Sequence, residues 1–205
     1  MTRMEPGAVE RTGQRDGFDR KISGLRGRRV TGVQYWDVHN YSSEPSPWDY
    51  GNWHHAVMGL ELATDSGPVT VTWTSTFHDY GVEVFLEPIA RHLLLGEDGP
   101  QPVGPDALGP WEPLMGSPIM DAMTWWERCD SGPPVRGDAT MGTAPWFIDV
   151  PTALRLDFAG GSVWFVAAIL LLPSGTVSVS GDEIMVVFSA ARMRSLGFHD
   201  PSFVA

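Results

Sequence analysis

The stretch Ser46 to Gly59, SPWDYGNWHHAVMG, brings two tryptophans, a tyrosine, an aspartate and two adjacent histidines together. Three chemistries draw on such residues. Paired histidines can ligate a metal. A histidine beside an aspartate can act as a general base, because its pKa lies near working pH. Tryptophan and tyrosine bury much area at little entropic cost and anchor interfaces. Spacing discriminates among these. In a strand, neighbouring side chains point to opposite faces, so His54 and His55 do not readily share one ion. Helical zinc motifs place two histidines four apart, and these are adjacent. The single cysteine, Cys129, permits no intrachain disulfide and no cysteine zinc cluster. Neither a metal nor a cofactor is expected.

A hairpin must position the stretch. HHAVMGLEL runs into ATDSGP and returns as VTVTWTSTF. The return alternates Val69, Val71 and Trp73 with Thr70, Thr72 and Thr74, the two-residue period of a half-buried strand. Pairing Leu62 with Val69 sets Leu60 opposite Val71, Met58 opposite Trp73 and His54 opposite Phe77, all on the apolar face. His54 then sits at the core edge with its nitrogens satisfied locally. The other face reads Glu61–Thr70, Gly59–Thr72, Val57–Thr74, His55–Thr76 and Trp53–His78, and cross-strand partners are close neighbours. Trp53, His55, Thr76 and His78 would meet at the open end, with Trp48 and Tyr50 before them and Asp79 and Tyr80 after. A bulge would scramble this register.

The cluster has three readings. It is a wet sheet edge of packed aromatics, or a binding patch of Trp48, Tyr50, Trp53, His55, Thr76, His78 and Tyr80, or a catalytic set of His55, His78 and Asp79. Against the last, the chain has no G-x-S-x-G nucleophile turn.

The remaining elements follow from periodicity and turn chemistry. Val30 to Val38 and Gly81 to Leu86 read as strands. Pro88 opens a short helix, PIARHLLL, that Gly96 ends. Two Gly/Pro-rich loops flank PIMDAMTWWERC, which reads as a helix with Ile119, Met123 and Trp126 on one face. ALRLDFAGGSVWFVAAI is a hairpin turning at Gly160-Gly161. TVSVSGDEIMVVF gives two more strands, or one hairpin, around Ser180-Gly181-Asp182. SAARMRSLGF is a helix with Ser189 as N-cap and Gly197 just past its end.

The predicted fold class is α+β, mainly antiparallel sheet with a few short helices. Residues 1–28 read as a flexible basic arm and 29–205 as one globular domain. Leu60 aligns with Leu154, Leu62 with Leu156, Gly67 with Gly161, Val84 with Val187 and Leu93 with Leu196. Halves 30–95 and 146–198 thus read as divergent copies of a hairpin–strand–helix unit, joined by the insertion 96–145. Two unrelated α+β segments would also align this far.

Charge narrows the function classes. Residues 1–29 carry eight basic and four acidic side chains, whereas 30–205 carry six arginines and twenty-one acids, a net of −15. Such a body repels nucleic acid and anionic membranes and attracts basic partners. The longest apolar run, Val163 to Leu172, is half the length of a membrane span, which takes about 20 residues. The N-terminus lacks the apolar core of a secretory signal. A cytoplasmic location is expected, and thirteen arginines against one lysine suit a high-GC bacterial gene. The favoured function is an acidic protein-binding module, an inhibitor or immunity-type partner of a basic protein. The alternative is a small-molecule-binding protein or hydrolase with a His/Asp/Trp pocket around His55 and His78.

Overall fold

The computed structural model describes residues 6–38, 47–74, 76, 80–94, 99–105, 109–130, 147–171 and 174–204. His78, Asp79, Phe77 and residues 96–98, 106–108 and 131–145 of the insertion lie outside them.

The chain folds into two antiparallel sheets. Helix α1 (Pro6–Ser23) comes first, then β1 (Val30–Asp37), β2 (Trp53–Ala56), β3 (Gly59–Thr64), β4 (Val69–Thr74), β5 (Gly81–Phe85) and β6 (Gln101–Val103). The second half holds β7 (Asp121–Asp130), β8 (Phe147–Phe158), β9 (Gly161–Leu171), β10 (Thr176–Val179), β11 (Glu183–Val187), α2 (Ala190–Ser195) and α3 (Pro201–Val204). One sheet runs β5-β4-β3-β1-β6, the other β2-β11-β9-β8-β7, with β10 also on β9. No described helix is long and apolar enough to cross a membrane.

The core lies between the sheets. The alternation of β3 and β4 turns Leu60, Leu62, Val69 and Val71 inward, where they meet Leu154, Leu156, Val163 and Phe165 of the other sheet. A second apolar cluster lies on the outer face of the second sheet, where Met193, Phe198, Phe203 and Val204 cover Trp164, Val166 and Val187. Ser189 caps α2 by accepting the Arg192 N–H, and Gly197 follows with φ of 98°, both as expected.

Matched rows of residues cross the two sheets. In the first, Tyr35, Leu60, Val71 and Val84 stand side by side on β1, β3, β4 and β5. In the second, Thr124, Leu154, Phe165 and Val186 do so on β7, β8, β9 and β11. Each set of four strands is an antiparallel meander in the same order, with a helical turn after its last strand.

Three expectations are corrected. The N-terminal segment contains α1, and Phe18, Ile22 and Leu25 are buried. Its apolar residues are few, but they meet both sheets. Phe18 packs edge-on against Trp126 of β7, while Lys21 donates to the Glu83 carboxylate and the Val84 carbonyl of β5. Thus α1 bridges the margins of the two sheets. Second, PIMDAMTWWERC contributes a strand, because pairing along β8 overrides its helical spacing. Of the two readings of TVSVSGDEIMVVF, two strands or one hairpin, the structure has the two strands, β10 and β11. Both pair antiparallel with β9, end to end along one edge. Ser180 at φ of 68° makes the jog between them. Third, the helix expected after Pro88 shortens to one 3-10 turn, Ile89–Arg91.

Candidate functional site

The β3–β4 register agrees with expectation, Leu60 opposite Val71 and Leu62 opposite Val69. The ladder does not continue into HHAV. At Val57-Met58 the chain turns out of the first sheet, and Gly59 takes φ of 111°. A Cβ there would run into the Val71 carbonyl, so the pivot requires glycine. Beyond it β2 joins the other sheet, with His55 opposite Met185 and Trp53 opposite Val187.

This jump divides the expected cluster. Tyr50, Trp53 and His55 stay together, while the Trp48 ring turns to the core against Tyr35 and His54. Thr76 instead bonds to Thr74 and takes a contact from Gln14 of α1, and Tyr80 packs on Trp73. Of the catalytic set, His78 and Asp79 lie outside the described residues. His55 Nε2 lies 2.9 Å from the Glu183 carboxylate of β11, and that same oxygen accepts the Leu170 N–H. Glu183 follows directly on the Ser180-Gly181-Asp182 turn. Its role follows from the β2–β11 pairing, which local sequence does not encode.

The two histidines lie in different surroundings because strand alternation turns them to opposite faces. His54 points to the core and is 1% exposed. Trp111 Nε1–H donates to the Tyr35 hydroxyl at 2.6 Å, and that hydroxyl lies 2.7 Å from His54 Nδ1. An indole can only donate, which leaves the tyrosine its own O–H to give to Nδ1, and the Asp49 carboxylate facing Nε2 favours the tautomer in which Nδ1 accepts. The proton of a neutral His54 is therefore on Nε2, which has no hydrogen-bond partner and faces Asp49 Oδ1 at 3.7 Å. Burial lowers the His54 pKa below its ordinary value, and Asp49 opposes this. Burial also pushes the Tyr35 hydroxyl above its ordinary range. The chain from Trp111 through Tyr35 to His54 is closed to a substrate and locks the β2 crossing to β1.

His55 lies on the other face of β2 and is buried, 7% exposed, beside the Tyr50 and Trp53 rings. Tyr50 stacks on Trp53 with ring centres 4.2 Å apart and planes 5° from parallel. The Arg192 guanidinium lies over the Trp53 ring at 5.6 Å. Tyr50 remains 38% exposed. Partial burial raises its hydroxyl pKa, and the nearby carboxylates of Glu183 and Asp37 raise it further. Asp49 stands beside it with a 55% exposed side chain. The result is an aromatic surface set among carboxylates.

There is little concavity here. The dent between His55, Glu183, Trp53 and Leu170 holds about 10 Å³, at most one water. Among the described residues no three His, Cys, Asp or Glu side chains converge as metal ligands.

No known protein family, curated protein or solved structure matches the chain.

Proposed function

We propose that this protein is a binding module that recognises a basic protein surface through the patch around Tyr50. One observation carries the reading: an exposed tyrosine, pre-stacked on a buried tryptophan, stands beside exposed Asp49, with half-buried Glu183 and buried Asp37 adding to the negative field. A lysine or arginine of a partner would meet a π face and carboxylates together. The stack is ordered before binding, so little side-chain entropy is lost in using it. The net charge of −11 favours the same class of partner. A water-sized dent beside His55 suits contact with a surface better than it suits a small substrate. The matched rows of the two meanders also support their descent from one duplicated unit.

The test is a paired capture from nuclease-treated lysate of the source organism, using wild type and Tyr50→Ala. A stoichiometric basic protein should be retained by the wild type and lost from the variant, with thermal stability unchanged. Identical protein sets on both, or none on either, would refute the patch.

A further inference from the structure

A second feature lies at the far edge of the second sheet. A groove of about 430 Å³ runs beside β7, lined by the consecutive residues Ala122 to Trp126. Successive strand side chains point to opposite faces. Only a groove along the strand's edge touches five in a row. Its walls are α1, through Arg15, Asp19, Ile22 and Ser23, and α3, through Ser202 and Phe203.

The other meander shows what such an edge holds. There β1 occupies the place that β7 has here, and its outer edge is covered by β6. Val103 pairs with Tyr35, Pro102 with Trp36 and Gln101 with Asp37. Tyr35 corresponds to Thr124 in the matched rows, so the equivalent slot lies opposite Thr124, Trp125 and Trp126. Among the described residues no strand pairs with β7 on that side. The Ala122 N–H turns to the Asp121 carboxylate at 2.7 Å. Alternation places the Thr124 N–H on the same open edge. The Thr124 hydroxyl, itself buried, has no hydrogen-bond partner.

We infer that this groove is a strand-addition site that takes an extended cationic segment of a partner protein, antiparallel to β7 and in the place that β6 fills beside β1. Backbone hydrogen bonds would supply affinity, and alternate side chains would seat against the α1 and α3 walls. Charge selects the guest. Arg15 is held by Asp149 and Asp19, and Arg26 by Asp121. The lining arginine is therefore paired, while Asp16 and Glu127, next in sequence to the lining residues Arg15 and Trp126, are exposed, and the whole chain carries −11. This inference does not rest on the Tyr50 patch, which lies at the opposite edge of the sheet.

The test uses a capped heptapeptide of alternating arginine and valine, with a glutamate-and-valine peptide as control. Amide exchange is followed by NMR on the whole chain. The arginine peptide should slow exchange at Ala122 and Thr124, and the glutamate peptide should not. Ser23→Trp fills the groove from an exposed position and should weaken binding by about tenfold or more, whereas Tyr50→Ala should leave it unchanged. Should Ser23→Trp fold poorly, Thr124→Pro removes the outward donor without touching the β8 ladder. Three results would each overturn the inference: no protection at these amides, equal binding of the acidic peptide, or a dimer of the protein alone that already protects them.

Discussion

Tyr35 does more than fill space, since its hydroxyl is the only link between two buried nitrogens. Tyr35→Phe keeps the ring but leaves Trp111 Nε1–H and His54 Nδ1 without their partner. An orphaned buried polar group costs about 1–3 kcal/mol, so the variant should lose about 2–4 kcal/mol in urea unfolding. A loss within the noise of such a measurement would mean that the hydroxyl does not join them. His54 makes a pH prediction with a definite sign. Its folded pKa lies below 6.5 because of burial. As pH falls through 6.5 the unfolded chain takes up a proton that the folded chain refuses, so stability declines, by at most about 1.4 kcal/mol per pH unit. Asp149 acts in a different window. The Arg128 hydrogen bond holds its pKa below 3.8, so the stability it contributes is lost only in stronger acid. His54→Leu should therefore flatten the decline in stability that begins as pH falls below 6.5 and leave the acid limb in place. An unchanged slope in that variant would assign the titration to another group.

At the scale of elements, the sequence was legible where the pairing is local. The β3–β4 and β8–β9 hairpins carry their own turns and alternation, and the Leu62–Val69 register followed from those alone. The Ser189 cap was equally local. What escaped depends on distant partners. TWWER has helical spacing, yet β8 supplies a ladder that makes it a strand. HHAV looked like a continuation of β3 because nothing nearby announces β11. Gly59 was the one local sign of the pivot, and a lone glycine in a strand pattern suggests a break without saying where the chain goes next. The aromatic half of the site was therefore visible, and its carboxylate, Glu183, was not. The pivot can be tested directly. Gly59→Ala forces a Cβ against Val71 at positive φ and should destabilise the fold by about 1–3 kcal/mol or more. Gly67 also has positive φ but open space around it, so Gly67→Ala should cost less. Equal costs at the two sites would show that strain, and not the crossing between sheets, dominates. α1 was missed for a related reason. Three buried side chains, Phe18, Ile22 and Leu25, are too few for a periodic stripe, but they suffice once two sheet margins are there to receive them. Phe18→Ala should cost about 3–5 kcal/mol, as for a true core residue. An arm merely resting on the surface would lose almost nothing.

At the scale of the whole molecule, charge and contact surface do separable work. The net charge of −11 acts at a distance, whereas the Tyr50–Trp53 stack acts only after docking. Long-range attraction raises the rate of encounter and is screened as the Debye length shrinks to about 8 Å at physiological ionic strength. Short-range contacts set how long the complex lasts. The two therefore appear in different rate constants. With the basic partner captured on the wild type, the association rate should fall about tenfold or more between low and physiological salt, while dissociation changes little. Tyr50→Ala should do the reverse, speeding dissociation and leaving the salt dependence of association intact. Asp49→Lys reverses an exposed charge at the rim and should lower the association rate at low salt more than at high salt. Stopped-flow measurement of all three proteins across one salt series resolves both parts. An association rate independent of salt would mean that the acidic body does not steer the encounter. A Tyr50→Ala effect confined to association would mean that the ring is not an anchor in the complex.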